Sequence, residues 1–345
     1  MEEQSNMTKN KVTAFVLNLV RLVAFPLAAW LLMEVLCQMF ADRHLFNTVL
    51  DVRNYVRTVG IATCTALALS FNLASGRFDL SLGAQRMMST IIGANIAIQL
   101  GLGPVGMVIV VFLVGLVAGG VVGTVFVTSR VPPMVLGVGM TMIYECVAFI
   151  SSNGEGLNLF GKGYDALAEL GFITVVIIVA CLFIMFLMQY TRFGYEMRAI
   201  RGSQSIAYNS GINIFAHVAL CYTLAGGMAS FSGLFNAAFE GSMKASMGMS
   251  SNGPVMSCCF PMFLGGYLSR WCNQPVGILF ATMTLKMIEM GMTALNLTST
   301  ASQAINMGLF LLFLIIRANE YLPARKKADE ARRALARQKA AAATV

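Results

Sequence analysis

Val105-Gly106-Met107-Val108-Ile109-Val110-Val111-Phe112-Leu113-Val114-Gly115-Leu116-Val117-Ala118-Gly119-Gly120-Val121-Val122-Gly123-Thr124-Val125-Phe126-Val127 runs without one charged side chain, and it decides the class of fold. Backbone N–H and C=O groups find no partner in hydrocarbon, so such a run crosses a bilayer as a helix, which takes about 20 apolar residues. Comparable runs recur on both sides of it. Spans are expected near Phe15–Phe40, Val56–Leu73, Leu82–Leu100, Val105–Val127, Met134–Ile150, Phe172–Gln189, Phe215–Ala238, Val255–Leu268, Val276–Ala294 and Ile305–Ile316. The composition agrees: 57% hydrophobic and 12% charged over 345 residues, with a mean hydropathy of +0.72, where soluble domains carry about 25% charge. The expected fold is an all-α polytopic membrane bundle of about ten transmembrane helices. Gly115, Gly119, Gly120 and Gly123 in one span and Gly226, Gly227 and Gly233 in another let helices approach closely.

Orientation follows from the placing of Lys and Arg beside the spans. With Lys9 and Lys11 in the cytoplasm, an even number of spans puts Arg77, Arg130, Arg192, Arg198, Arg201, Arg270 and Arg317 on the same side. Both termini are then cytoplasmic. The domain organisation reads as an N-terminal segment over 1–14, a transmembrane domain over 15–316 and a basic cytoplasmic tail over 317–345. The tail, with Arg325-Lys326-Lys327 and Arg332-Arg333 among alanines, fixes topology or docks a cytoplasmic subunit. Net charge of +8 and a pI near 9.2 read as topology and contact with anionic lipid headgroups, not as nucleic-acid binding. No cleavable signal peptide is expected. All eight cysteines fall in or beside apolar runs without a C-x-x-C pair, and read as small hydrophobes.

Nothing in the sequence points to catalysis or to a metal. His44 and His217 lack the neighbours of a metal or nucleophile site, and no G-x-x-x-x-G-K-[ST] loop is present, so this chain is no ATPase and needs no cofactor of its own. Ionisable groups within spans are functional hypotheses by default. They are Arg21, Glu145, Lys286 and Glu289, with Asp79 and Arg86 at the edge of a short loop. Lys286 and Glu289, at i, i+3 on one helical face, form an intramembrane ion pair or contact a substrate. Glu145 has no partner in its own span, so it meets Arg21 or Lys286 from another helix or faces a wet cavity.

A polar, basic island interrupts the apolar pattern from Tyr190 to Asn213: Thr191-Arg192-Phe193-Gly194, then Arg198-Ala199-Ile200-Arg201, Ala207 and Ser210-Gly211-Ile212-Asn213. A plain positive-inside loop and a short amphipathic helix offered to a cytoplasmic partner both fit it.

Gly76-Arg77-Phe78-Asp79-Leu80-Ser81-Leu82-Gly83 is similar to the Gly-Gly-Ile-Asp-Leu-Ser-Val-Gly signature of the permease subunits of ribose- and galactose-type ABC importers. Arg130-Val131-Pro132-Pro133-Met134-Val135 resembles that family's basic-x-Pro-Pro-Phe-Ile segment, and the island resembles its Thr-Arg-Phe-Gly … Ser-Gly-Ile-Asn loop. Leu264-Gly265-Gly266 with Pro275-Val276-Gly277 resembles its glycine-rich stretch. These motifs run in the family's order from about Phe71 to Ile316. The chain departs from the pattern at Arg77, at Gly202-Ser203-Gln204-Ser205, at Arg270-Trp271-Cys272-Asn273 and at Glu289-Met290-Gly291, and reads as a divergent member whose solute the motifs do not fix.

The resemblance implies a permease in the bacterial inner membrane. Its partners would be cytoplasmic ABC ATPase subunits that bind ATP and magnesium, an extracytoplasmic substrate-binding protein, and a second permease, identical or related. It implies ATPase coupling through Arg192, Phe193, Gly194, Arg198, Arg201, Ala207 and Gly211, and loops over 151–170 and 239–253 that face the binding protein. For a sugar-like solute, the polar or aromatic residues Asn72, Asn95, Tyr144, Glu145, Asn236 and Asn296 in apolar segments are the pathway candidates. On the residues alone a second class stays open, a secondary transporter coupled to an ion gradient through Glu145, Lys286 or Glu289.

Overall fold

Apolar runs that no sheet could satisfy become helices throughout the computed structural model, which describes residues 2–74 and 76–320. In chain order they are α1 (Glu2–Ala41), α2 (Val49–Ala74), α3 (Leu82–Gln99), α4 (Pro104–Ser129), α5 (Pro133–Ser151), α6 (Leu170–Tyr190), α7 (Arg192–Gly202), α8 (Gln204–Asn209), α9 (Ile214–Glu240), α10 (Gly253–Ser257), α11 (Cys259–Leu268), α12 (Gln274–Ala294) and α13 (Ser299–Glu320). Two two-residue strands, β1 (Leu157–Asn158) and β2 (Ser242–Met243), pair antiparallel and join the loops after α5 and α9. The chain divides into two units, 1–294 and 295–345. The second contains α13, with an Arg317–Glu320 pair at 2.7 Å in its last turn. Residues 321–345 of the expected basic tail lie outside the described residues, while Arg317–Glu320 still belong to α13.

Among the described residues, eight helices are long and apolar enough to cross a membrane: α1, α2, α4, α5, α6, α9, α12 and α13. Two of the expected spans differ. Leu82–Leu100 does form a helix, α3, but every residue from Leu82 to Ile91 is buried, Gln85, Arg86, Ser89 and Thr90 included. A helix enclosed on all sides by protein carries polar groups that lipid would not accept. Val255–Leu268 breaks at Cys258 into α10 and α11. Pro261 has no N–H to donate to Ser257, and a proline is accommodated in the first turn of a new helix. α1 begins at Glu2, and its membrane-length apolar part runs from Leu17 to Ala41.

The packing of the first unit follows from small residues. Gly115, Gly119 and Gly123 of α4 meet Gly226, Tyr222 and Ala219 of α9 in antiparallel order, and a Cβ on Gly119 would run into the Tyr222 carbonyl oxygen. Phe112 and Phe231 stack at 4.8 Å where these helices continue. The core beside them takes Met107, Val111, Ile91, Leu234 and Tyr222. Without a hydrophobic drive between lipid-bathed helices, such close dispersion contacts supply much of the association. In α1, Leu22, Pro26, Ala29, Met33 and Cys37 form the buried stripe, and Cys37 Sγ–H donates to the Gly291 carbonyl of α12 at 3.7 Å.

Gly119→Val is expected to lower stability by about 1–3 kcal/mol or more through overpacking against backbone, seen as an earlier unfolding midpoint in detergent. Gly139→Ala, where a Cβ meets nothing within 4 Å, should leave that midpoint unchanged or raise it.

Candidate functional site

Two irregular segments meet inside the first unit, and a buried carboxylate organises each. The first is the turn between α2 and α3. Gly76 there has φ +77°, and Asp79 is 2% exposed. Asp79 Oδ1 accepts from the Ser81 N–H at 2.8 Å and the Ser81 hydroxyl at 2.6 Å, and Oδ2 accepts from Asn72 Nδ2 at 3.2 Å and Gln85 Nε2 at 3.0 Å. Complete burial pushes the Asp79 carboxyl above the usual carboxylate range, while the Ser81 and Gln85 donors pull against that shift.

The second segment precedes α10. Glu145 of α5, 1% exposed, accepts from the Met249 N–H at 2.8 Å, the Ser251 N–H at 3.1 Å and the Ser251 hydroxyl at 2.6 Å. Met249 has φ +64°, so this carboxylate supports a left-handed turn. Neither Arg21 nor Lys286 pairs with Glu145, and it does not face a wet cavity: its partners are backbone N–H groups and a serine.

The two segments touch. A Cβ on Gly83 would collide with the Asn252 side chain and lie 2.5 Å from the Ser251 carbonyl oxygen, so glycine is needed for this approach. α5 braces both sides: the Thr141 hydroxyl donates to the Leu80 carbonyl at 3.0 Å, and Gly137 leaves room for the Leu80 N–H. Pro132 and Pro133 start α5, with Pro133 in its first turn and the Pro132 carbonyl accepting from the Val135 and Leu136 N–H groups.

The other pathway candidates do not converge. Tyr144 donates its hydroxyl to the Ala118 carbonyl of α4 at 2.7 Å, and Asn95 donates to the Gly156 carbonyl at 3.3 Å, tying down the β1 loop. Asn236 donates to Glu240 at 3.1 Å. Asn296, with φ +58°, sits in a turn of the second unit. Gly265 of α11 packs on Ile278 of α12, and Gly266 meets nothing within 4 Å. Lys286 Nζ lies 2.5 Å from Glu289 Oε2, at the edge of a cavity of about 430 Å³ lined also by Asn54, Tyr55, Thr58 and Thr293.

The island from Tyr190 to Asn213 forms α7 and α8. Gly194, Met197, Ile200 and Ala207 point inward and are buried, while Arg192, Tyr195, Arg198, Arg201, Ile206 and Tyr208 are exposed. Met197 and Ile200 thus seat the helix on the bundle, and Tyr195 joins the arginines outside. Gly194 packs against the Met188 carbonyl of α6 so closely that no Cβ fits, and Arg198 donates to the same carbonyl at 3.1 Å. Glu196 spans Arg192 at 2.7 Å and His217 of α9 at 3.6 Å. Phe193 stacks on His217 at 4.5 Å and reaches Phe71 of α2 at 6.3 Å. Gly211, with φ +80°, closes α8, and Asn213 caps α9 by accepting from the Ala216 N–H at 3.1 Å. α7 therefore touches α2, α6 and α9 at once. Among the residues that sequence reading did not single out, Ser251, Gln85 and Thr141 carry much of the site. Their polarity in apolar surroundings was a visible signal, but their partners lie far away in the chain.

Together these elements make a polytopic helical bundle with eight candidate membrane spans and an exposed basic helix, α7. The family described as branched-chain amino acid transport system / permease component matches residues 52–317, and the chain belongs to it, as a multi-pass protein of the bacterial inner membrane. It is 24% identical over 306 residues to the galactose/methyl galactoside import permease protein of Salmonella typhimurium, covering 82% of this chain and 90% of that one. It is 22% identical over 281 residues to the ribose import permease protein of Escherichia coli, covering 79% and 86%. The fructose import permease protein of Rhizobium meliloti is 24% identical over 252 residues, covering 69% of each.

Glu145→Gln turns an acceptor oxygen into a donor facing other donors. It is expected to cost about 1–3 kcal/mol and to speed amide hydrogen exchange at Met249 and Ser251 while leaving exchange in α4 unchanged.

Proposed function

We propose that this chain is the membrane-spanning subunit of an ATP-driven importer and forms the route for a sugar or sugar-like solute delivered by an extracytoplasmic binding protein. The observation that carries the reading is the outward face of α7 and α8, where Arg192, Tyr195, Arg201, Ile206 and Tyr208 stand exposed on a helix locked to three others. A cytoplasmic ATPase seats that face in a groove and hydrolyses ATP with magnesium, since the energy comes from the partner. Closure of the ATPase pushes α7. Its contacts pass the push to α6 through Gly194, to α9 through Phe193 and Glu196, and to α2 through Phe71. α2 leads directly into Asn72 and the Asp79 turn, so a rigid shift of α2 moves that braced segment as a unit.

In this arrangement both termini are cytoplasmic, and the loops joined by β1 and β2 face the binding protein. A second permease, identical or related, completes the route. The similarity to permeases named for galactose, ribose and fructose import supports a polyhydroxy solute. Ion coupling has little to act with: Glu145 is occupied by three donors, and Lys286 is neutralised by Glu289.

The test is co-expression with candidate ATPase subunits followed by purification through a tag on this chain. The chain should retain its ATPase, and Arg201→Glu combined with Tyr208→Ala should cost about 2 kcal/mol or more of docking energy, read as a loss of at least about tenfold in retained ATPase. Gly211→Arg, at a left-handed position beside the docked face, should leave hydrolysis running while uptake falls. Proton-driven uptake by the chain alone, with no ATPase retained, would contradict the reading.

A further inference from the structure

A cavity of about 430 Å³ opens where the loop between α1 and α2, the first turns of α2 and the last turns of α12 meet. That volume falls within the range of about 300–1,000 Å³ that small-molecule sites occupy. Its walls are held from several directions. Tyr55 of α2 donates its hydroxyl to the Met283 carbonyl of α12 at 2.9 Å. Phe46 of the loop meets the Tyr55 ring edge-on at 5.7 Å, and Asp51 fixes the end of the loop by accepting from the Asn47 and Thr48 N–H groups at 3.1 and 2.8 Å. The cavity is therefore a formed feature of the fold.

Its lining carries polar groups with hydrogen-bonding capacity to spare. Lys286 and Glu289, paired at 2.5 Å, keep 20% and 32% of their side chains exposed, so the pair faces the cavity instead of being sealed in the bundle. An ammonium has three N–H donors, and Glu289 takes one of those of Lys286. The Asn54 amide has no hydrogen-bond partner among the described residues. Thr58 and Thr293 donate to the Tyr55 and Glu289 carbonyls at 2.9 and 3.0 Å, and each hydroxyl oxygen is still able to accept. The charged lining groups balance, Arg43 and Lys286 against Asp51 and Glu289, and His44 is engaged by Glu34 at 2.6 Å. An ionic solute thus meets no net opposite charge there. A neutral solute whose hydroxyls each donate and accept finds ammonium, carboxylate, amide and hydroxyl partners around one cavity.

We propose that this cavity is a receiving site for a neutral polyhydroxy solute within a single permease, and that Lys286 and Glu289 set its specificity, Lys286 donating to one hydroxyl oxygen and Glu289 accepting from a neighbouring O–H. This rests on the importer reading and adds to it a place and a set of contacts for the solute. Position supports it. Asn54 and Phe71 stand about 25 Å apart along α2, at roughly 1.5 Å per residue, and Phe71 is the residue that reaches Phe193 of α7. The cavity thus lies at the end of α2 remote from the docking helix, which on that reading is the end where solute arrives. Because Tyr55 ties α2 to α12 beside the cavity, the shift of α2 that follows ATPase closure alters the cavity's width.

The experiment uses the full-length chain copurified with its ATPase in lipid nanodiscs, with D-ribose, D-galactose and D-fructose as probes and D-galactose 6-phosphate as the charged control. Saturation-transfer NMR, which detects weak contacts, should show transfer to at least one of the sugars and at least about tenfold less to the phosphate. Glu289→Gln, and Thr58→Phe, which fills the cavity, should each weaken the binding of that sugar by about tenfold or more. In the wild-type chain the same sugar should slow amide hydrogen exchange over residues 54–58 and 286–293 and leave α4 unchanged. Should the variants fail to fold, that wild-type exchange map decides. No transfer to any of the sugars, equal transfer to the phosphate, undiminished transfer in Thr58→Phe, or slowed exchange confined to other segments would overturn the inference. Retention of the ATPase by the wild-type chain keeps the importer reading separate: its loss counts against that reading, and its presence without sugar contact counts against this cavity alone.

Discussion

Irregular backbone enclosed in a membrane bundle must find all its hydrogen bonds inside the protein, and two buried carboxylates meet that requirement here. Asp79 gathers Asn72, Ser81 and Gln85 around the turn that opens α3, and Glu145 holds the left-handed turn at Met249. Each carboxyl group is surrounded by donors, which is how such a polar group becomes tolerable away from water. The two turns meet at Gly83 and Asn252. From that junction follow the enclosure of α3 and the position of α5, which braces one turn with Thr141 and the other with Glu145.

The same junction connects the two ends of the functional account. α2 carries Phe71, which reaches Phe193 of the exposed helix α7, and one residue later Asn72, which donates to Asp79. A displacement of α7 thus arrives at a rigid, hydrogen-bonded turn rather than at a loose loop. α3 continues from that turn, so the exposed helix α7 and the braced turn lie along a continuous chain of contacts.

Much of this was legible in the sequence. The uncharged run from Val105 to Val127 decides the class of fold, and Gly115, Gly119, Gly120 and Gly123 within it face α9. The island from Tyr190 to Asn213 announced a segment that could not be a span, and Gly194 and Met197 now account for its inward face. Other features depend on contacts between distant residues. Glu145 reads as an orphan charge because its partners are backbone N–H groups more than a hundred residues away. Leu82–Leu100 reads as an ordinary span, since hydropathy cannot distinguish a helix walled by protein from one bathed in lipid. The break at Cys258 was signalled only by Pro261, whose effect depends on where the helix starts. Asn95 and Tyr144 read as pathway polar groups, but each is occupied by a carbonyl that no local pattern reveals.

The central claim is that Asp79 and Glu145 support one shared junction rather than two independent turns. A double-mutant cycle of Asp79→Asn and Glu145→Gln, read as unfolding free energies in mixed micelles, tests it most directly. A shared junction predicts that the double variant loses less than the sum of the single losses, with a coupling energy of about 0.5–3 kcal/mol. Losses that add to within about 0.5 kcal/mol would contradict it.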